Sequence, residues 1–274
     1  MIDFSNIVSP TDRYNFHSHT QFCDGRADMA VMAEAAVKSG MLHWGFSPHS
    51  PVPIESSCNM PMDDVAPYVE EVQRLKTVFG SRISLYTSME IDYLGDDWGP
   101  SHSYFDTVPL DYRIGSVHFL PCGDGYVDVD GRFDSFKIKM ERFFDNDIRH
   151  VVETFYRQSV DMVEAGGFDI IGHFDKIGHN ASMFAPGIED EVWYGKCVDR
   201  LVDAIIKSGV AVEINTKGGE GERRIFPSFR YLPRLVESGV TIVVNSDAHY
   251  PDKVDAGREE VIKRFVKKID NYNN

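Results

Sequence analysis

Several features that would assign the chain quickly are missing. Its 274 residues include four cysteines, Cys23, Cys58, Cys122 and Cys197. None stands in a C-x-x-C pair, which leaves out a zinc ribbon and a thioredoxin-type redox site, and scattered unpaired cysteines fit a reducing cytoplasm. No apolar run approaches the roughly 18 residues of a membrane span. The opening Met-Ile-Asp-Phe-Ser-Asn lacks a basic stretch followed by an apolar one, so no secretory signal is expected. Without one, the sequon at Asn180-Ala181-Ser182 carries no weight. Positive charge is scarce as well: 28 Lys and Arg face 43 Asp and Glu, for a formal net charge of -15. That balance argues against a nucleic-acid partner, which needs a basic footprint. Gly218-Gly219-Glu220-Gly221 follows an apolar segment but has neither the spacing nor the Lys-Ser/Thr of a phosphate-binding loop. No compositional break or low-complexity linker divides the chain, so residues 1–274 are expected to form a single domain.

What is present is a repeated strand–helix rhythm. Strands are expected at Tyr14–His19, His43–Pro48, Ile83–Ile91, Tyr112–Leu120, Ile170–Phe174, Val210–Thr216 and Val240–Ser246. Helical spacing of apolar residues predicts helices over Asp28–Ser39, Asp63–Phe79, Phe136–Ala165 with a break near Asn146, Asp190–Ser208, Phe229–Ser238 and Val254–Ile269. The segment Pro121–Phe136 breaks the rhythm, and its alternating Tyr126, Val127 and Val129 suggest a hairpin or excursion. Alternating strands and helices imply a parallel sheet covered by helices. An open doubly wound sheet and a closed barrel both satisfy this. They differ in where a site would lie: at a switch point in strand order, or at the C-terminal ends of all the strands.

Histidine and carboxylate positions favour the barrel. His17 and His19 are two apart, a spacing that puts both imidazoles on one face of a strand. Two neutral imidazoles so placed can hold a divalent ion at about 2.0–2.1 Å per bond. Asp247 and His249 repeat the spacing near the other end of the chain. Between them, His49, Glu90, His118 and His173 each fall at the end of an expected strand, and Asp24 lies just beyond the first. One such residue would be an ordinary buried histidine or half of an ion pair. Nine converging on one barrel mouth are difficult to bury unpaired. They are too many for one ion and suit two or three, about 3.5–4 Å apart for a bridged pair. His43, His102 and His150 are expected away from the site, and His179 at most at its mouth.

With these residues in hand, the sequence resembles the PHP family, named for polymerase and histidinol phosphatase domains. The resemblance runs from His17 to His249 and rests on His17-Ser-His19, Pro48-His49, Glu90, His118, His173 and Asp247-Ala-His249. Within the family it looks most like the histidinol-phosphate phosphatases, through Gly115-Ser-Val-His118-Phe, Ile171-Gly-His173-Phe-Asp and Glu213-Ile-Asn-Thr216. The resemblance implies a distorted seven-stranded (β/α)7 barrel of TIM-like, PHP type. It also implies a trinuclear centre, with His17, His19, Glu90 and Asp247 at the first metal. Glu90 would bridge to a second shared with His118 and His173, and Asp24, His49 and His249 would hold the third. Many relatives have a histidine where this chain has Asp24. Zinc, iron and manganese all suit such donors.

The implied activity is hydrolysis of a small phosphate monoester, L-histidinol phosphate, in histidine biosynthesis, by a metal-bridging hydroxide. Lys176, Arg223 and Arg224 are the expected phosphate contacts. Asp92, with Glu55, Glu220 and Glu222, would face the amine and imidazole. Alternatives are a PHP phosphoesterase for sugar or nucleotide phosphates, a nuclease or proofreading domain, a non-catalytic metal-binding protein and an amidohydrolase-type barrel. The last fits worse because no lysine ends a strand.

Overall fold

The computed structural model describes residues 2–217 and 224–264. In chain order its elements are α1 (Ser5–Val8), β1 (Tyr14–Asn15), α2 (Met29–Lys38), β2 (His43–Phe46), α3 (Val65–Phe79), β3 (Ser84–Asp92), β4 (Tyr112–Ser116), β5 (Phe119–Cys122), β6 (Gly125–Asp128), α4 (Phe133–Phe143), α5 (Ile148–Ala165), β7 (Ile170–Ile171), α6 (Ile177–Phe184), α7 (Val192–Ser208), β8 (Ala211–Asn215), α8 (Leu232–Glu237) and β9 (Ile242–Asn245). Seven strands form one sheet in the order β1-β2-β3-β4-β7-β8-β9, and every pairing in it is parallel. This is the distorted (β/α)7 barrel that the strand-end donors favour and the family resemblance implies.

The ring closes between its first and last strands without a continuous ladder. A single bridge pairs Ser18 with Ala248. Two asparagine side chains supply the rest. The Phe16 amide donates to Asn245 Oδ1 at 2.8 Å, and the Ser246 amide to Asn15 Oδ1 at 2.7 Å. Both asparagines are fully buried, and their amides satisfy backbone groups that a regular strand pair would satisfy itself.

Apolar residues fill three places. Two clusters lie between the strands and the helices outside them, one around Trp44, Phe46 and Tyr68, the other around Phe155, Tyr194 and Leu201. The third plugs the barrel's floor: Phe4, Tyr14, Phe16, Tyr112, Ile114, Ile170, Ala211 and Val243. Phe4 sits edge-on to Phe16 and Tyr112, with ring centroids 4.9 and 5.4 Å away.

Apart from β3, the barrel strands are shorter than their sequence patterns predict. Strand four ends at Ser116, not Leu120; Phe119 and Leu120 instead pair antiparallel with Asp128 and Val127 in the β5–β6 hairpin. The expected excursion is therefore a hairpin, starting two residues early. The break near Asn146 is present, with Asp145 and Asn146 both at positive φ, and Asp147 caps α5 by accepting from the His150 amide. Helix α6 has no counterpart in the sequence reading. The last expected helix is helical over 258–264, and its remainder lies outside the described residues.

Candidate metal centre

Alternation along the strands sends every second side chain into the barrel. On β3 this aims Glu90 and Asp92 inward, while Leu85, Met89 and Ile91 pack outward against helices. Most of the other donors lie two to four residues past a strand end, where the chain leaves the ladder. There the structure brings together all nine side chains singled out in the sequence.

Glu90 lies at the centre. Its Oε2 is 3.2 Å from His17 Nε2 and 3.1 Å from His49 Nδ1. Its Oε1 is 2.9 Å from His173 Nε2 and 3.5 Å from His118 Nε2, and accepts from Ser116 Oγ at 2.8 Å. One carboxylate thus faces two histidine groups with its two oxygens. His19 Nε2 is 3.1 Å from Asp247 Oδ1, and Asp24 Oδ1 lies 3.4 Å from His19 Nδ1 and 3.3 Å from His249 Nε2. His49 is nearer Glu90 than Asp24, whose Oδ1 is 4.0 Å from its Nε2. Asp247 has a positive φ of 48°, an uncommon backbone for a non-glycine residue and one that clusters at functional sites. Gly172 leaves room behind the well: a Cβ there would stand 2.5 Å from Ser116 Oγ, the hydroxyl that holds Glu90.

Behind the nine stand two carboxylates. Glu213 Oε1 meets His17 Nδ1 at 2.7 Å, and its Oε2 accepts from the His173 amide at 3.0 Å. Asp92 Oδ1 meets His118 Nδ1 at 2.7 Å, and its Oδ2 accepts from Asn59 Nδ2 at 2.9 Å. Each fixes its histidine's orientation and leaves Nε2 aimed into the well. Asp92, expected as a substrate contact, lines the cavity but has both oxygens engaged, so its geometry is that of an orienting group. In the sequence Glu213 stands out only within the motif Glu213-Ile-Asn-Thr216. A glutamate at an inward position of the apolar run Ala-Val-Glu-Ile-Asn was the available signal, because a buried carboxylate demands a partner.

The electrostatics are those of a site crowded with donors. Burial pushes the His17 imidazole down, but Glu213, Glu90 and Asp247 outweigh it and lift the group to about 10. Burial also disfavours His118⁺, and Asp92 with Glu90 reverses this to about 9. His49 goes the other way, to about 3, through burial and the neighbouring His19 and His118 against the pull of Glu90. Burial works against the Glu90 carboxylate, yet His17, His49 and His118 hold it well below the ordinary range.

These residues fit divalent cations. Asp24 Oδ1 and His49 Nδ1 are buried and have no hydrogen-bond partner among the described residues. His17 Nε2 and His19 Nε2 are 3.2 Å apart, and His118 Nε2 and His173 Nε2 are 3.3 Å apart. Pairs of imidazole nitrogens directed at each other satisfy one another poorly and a shared cation well. Five overlapping trios of donor atoms, each within 4.8 Å, tile the well. Imidazole and carboxylate donors together suit zinc, iron or manganese.

The well opens into a cavity of about 330 Å³, lined beyond the donors by Glu55, Asn59, Asp128, Asp130, Lys176 and Lys217. Lys176 Nζ is 2.7 Å from Asp130 Oδ2. Burial opposes its charge, and Asp130 and Asp247 more than restore it, so it holds its proton more tightly than an ordinary lysine. Lys217, not singled out in the sequence, has Nζ 3.2 Å from His249 Nε2 and 3.4 Å from Asp247 Oδ1. Arg224 is committed elsewhere, to Asp175 and Glu189, each at 2.5 Å. Both ion pairs engage the guanidinium expected as a phosphate contact, which also borders an adjoining cavity. Arg223, Glu220 and Glu222 lie outside the described residues. His43, bonded to Tyr86, and the exposed His150 are remote, whereas His179 lines an adjoining cavity with Lys176 and Lys217.

A (β/α)7 barrel with a donor-lined well at the strand ends is the architecture of one class of proteins. A family model described as the PHP domain matches residues 15–217, and the chain belongs to that family. The histidinol-phosphatase of Bacillus subtilis is 26% identical over 268 residues, covering 90% of this chain and 97% of its own length. Two solved structures share the fold. A candidate histidinol phosphatase from Listeria monocytogenes has a TM-score of 0.80 at 18% identity, covering 90% of this chain and 99% of that one. The histidinol phosphate phosphatase from Lactococcus lactis, solved with zinc, L-histidinol and phosphate, has a TM-score of 0.68 at 19% identity, covering 94% and 93%. No described helix is long and apolar enough to cross a membrane.

Proposed function

We propose that this chain is a histidinol-phosphatase: a metal-dependent hydrolase that converts L-histidinol phosphate to L-histidinol and phosphate. The observation that carries the reading is Glu90, whose two oxygens face two separate histidine groups in one buried well. His17, His19, Glu90 and Asp247 would hold one ion, and Glu90, His118 and His173 a second. Asp24, His249 and His49 would share a third. When bound, such ions lower the pKa of coordinated water and neutralise the non-bridging phosphate oxygens.

The chain's own residues do the positioning. Glu213 and Asp92 hold His17 and His118 in the tautomer that leaves Nε2 free for the well. Ser116 fixes the Glu90 carboxylate. Lys176, kept charged by Asp130, gives the phosphate a fixed cation and not a proton, since its hold on that proton is strengthened. Lys217 is a second cation on the same cavity. Glu55 and Asp128 give the same cavity an acidic wall suited to a substrate with an amine and an imidazole. That wall disfavours sugar and nucleotide phosphates, which bring no compensating cation. The β5–β6 hairpin supplies Asp128 and so shapes specificity at the mouth.

The same reading treats residues 1–274 as one domain in the cytoplasm with no nucleic-acid partner. A seven-stranded barrel sheet whose first and last strands adjoin, four free cysteines and the acidic charge support it. The test is phosphate release from L-histidinol phosphate beside sugar phosphates and nucleoside monophosphates, on protein of measured metal content. Preference for histidinol phosphate is the expected result; equal or better turnover of another ester discards the substrate assignment and keeps the metal chemistry.

A further inference from the structure

A second polar cavity lies on the outer wall of the barrel, between α5 and α7. It encloses about 490 Å³ and shares no lining residue with the donor well. Arg149 and Arg157 enter it from α5, and Lys196 and Arg200 from α7. One carboxylate, Glu153, accompanies them, and Arg149 Nε holds it at 2.8 Å. The side chains of Lys196 and Arg200 make no ion pair or hydrogen bond with any described residue, although the chain has 43 acidic residues to 28 basic ones. All four cations are exposed. Half-buried Trp193 completes the groove, with the Arg149 guanidinium 4.9 Å from its ring centroid. Arg149 and Trp193 are each the second residue of their helix, so both N-terminal turns, the positive ends of the helix dipoles, open at that end.

We propose that this groove binds a small polyanion carrying a flat ring, of the nucleoside triphosphate class. The guanidinium forks of Arg157 and Arg200 and the Lys196 ammonium match the oxygens of several linked phosphates, with Arg149, held by Glu153, adding positive charge at the rim. An exposed ion pair contributes little by itself, so the groove retains only a ligand that engages several cations at once; a single phosphate does not suffice. Trp193 offers a π surface to a base, next to a guanidinium that stacks on the same kind of ring. A concave site of this size fits a small molecule. The groove does not depend on the phosphatase reading, because none of its residues enters the well.

The experiment uses metal-loaded protein, wild type and the double variant Arg157→Glu/Arg200→Glu, with inorganic phosphate present to occupy the well. MgATP, tripolyphosphate and adenosine are titrated by calorimetry and by tryptophan fluorescence, with Trp193→Phe identifying the reporter. Wild type is expected to bind one MgATP per chain with a change in Trp193 emission, tripolyphosphate more weakly and adenosine not at all. The double variant should bind MgATP at least tenfold more weakly, with an unchanged melting temperature and phosphatase kcat/KM within twofold. Equal MgATP affinity in both proteins overturns the proposal. Tripolyphosphate binding as tightly as MgATP overturns its ring component. A wild-type dimer that the double variant converts to monomer also overturns it, because the groove would then be a self-association surface.

Discussion

The floor of the barrel and the well above it are built on the same strands, two residues apart, with opposite chemistry. On β4 the inward positions run Tyr112, Ile114, Ser116 and then His118. On β8 they run Ala211, Glu213 and Asn215, and on β9 Val243, Asn245 and then Asp247. The lower members belong to the aromatic and aliphatic plug; the upper ones hold or contact the donor cluster. At the floor, area removed from water stabilises the fold and no partner is needed. In the well, buried charges cost stability unless something compensates them. The layered interior of the barrel lets the first offset the second, which is how one short chain keeps so many ionisable groups dry.

That contrast can be broken from either side. The largest effect is expected from Glu90→Gln, which is nearly isosteric but removes the charge shared by both histidine groups. kcat/KM should fall on the order of 10³-fold, with metal content reduced by elemental analysis and the melting temperature of the metal-free protein not lowered. Next is Phe4→Ala in the floor, expected to cost about 3–5 kcal/mol by denaturant unfolding while kcat/KM per folded molecule stays within a few-fold. A proportionate loss of turnover would show that floor and well are not separable. Glu213→Gln should lower metal affinity or kcat/KM by about 10–100-fold, as read by competition with a chelator. The smallest effect is assigned to Tyr112→Phe, which deletes the hydroxyl bonded to the Phe16 carbonyl. About 1 kcal/mol of stability should go and no activity; a change in metal content there would tie the floor directly to His17.

Much of this arrangement could be read along the chain because it is written locally. His17 and His19, or Asp247 and His249, announce their common face by spacing alone. The strand–helix rhythm implies a parallel sheet covered by helices, and the donors at the strand ends favour the barrel over an open sheet. Where the strands stop was not legible: His118 and His173 stand just outside the ladder, so a pattern that ends on the functional residue overshoots the hydrogen bonding. Helix α6 went unread because Gly178 and Asn180 are poor helix formers, and its Ile177 and Ala181 acquire their place only by burial. Partnership across distance was hidden too. Asp92 and Arg224 look like free charges in sequence, yet their partners, His118 and Asp175, lie 26 and 49 residues away.

The seam between β1 and β9 has a consequence in time. Asn15 and Asn245 join residues some 230 positions apart, among the longest loops this chain must close, and such contacts form late because the entropy of closure precedes any reward. The well straddles that seam, with His17 and His19 on one side and Asp247 and His249 on the other. A chain still emerging from the ribosome therefore carries every other donor well before it has a complete site. A cation bound across the seam would draw together two segments some 230 residues apart in the chain, and loading would coincide with a late step of folding.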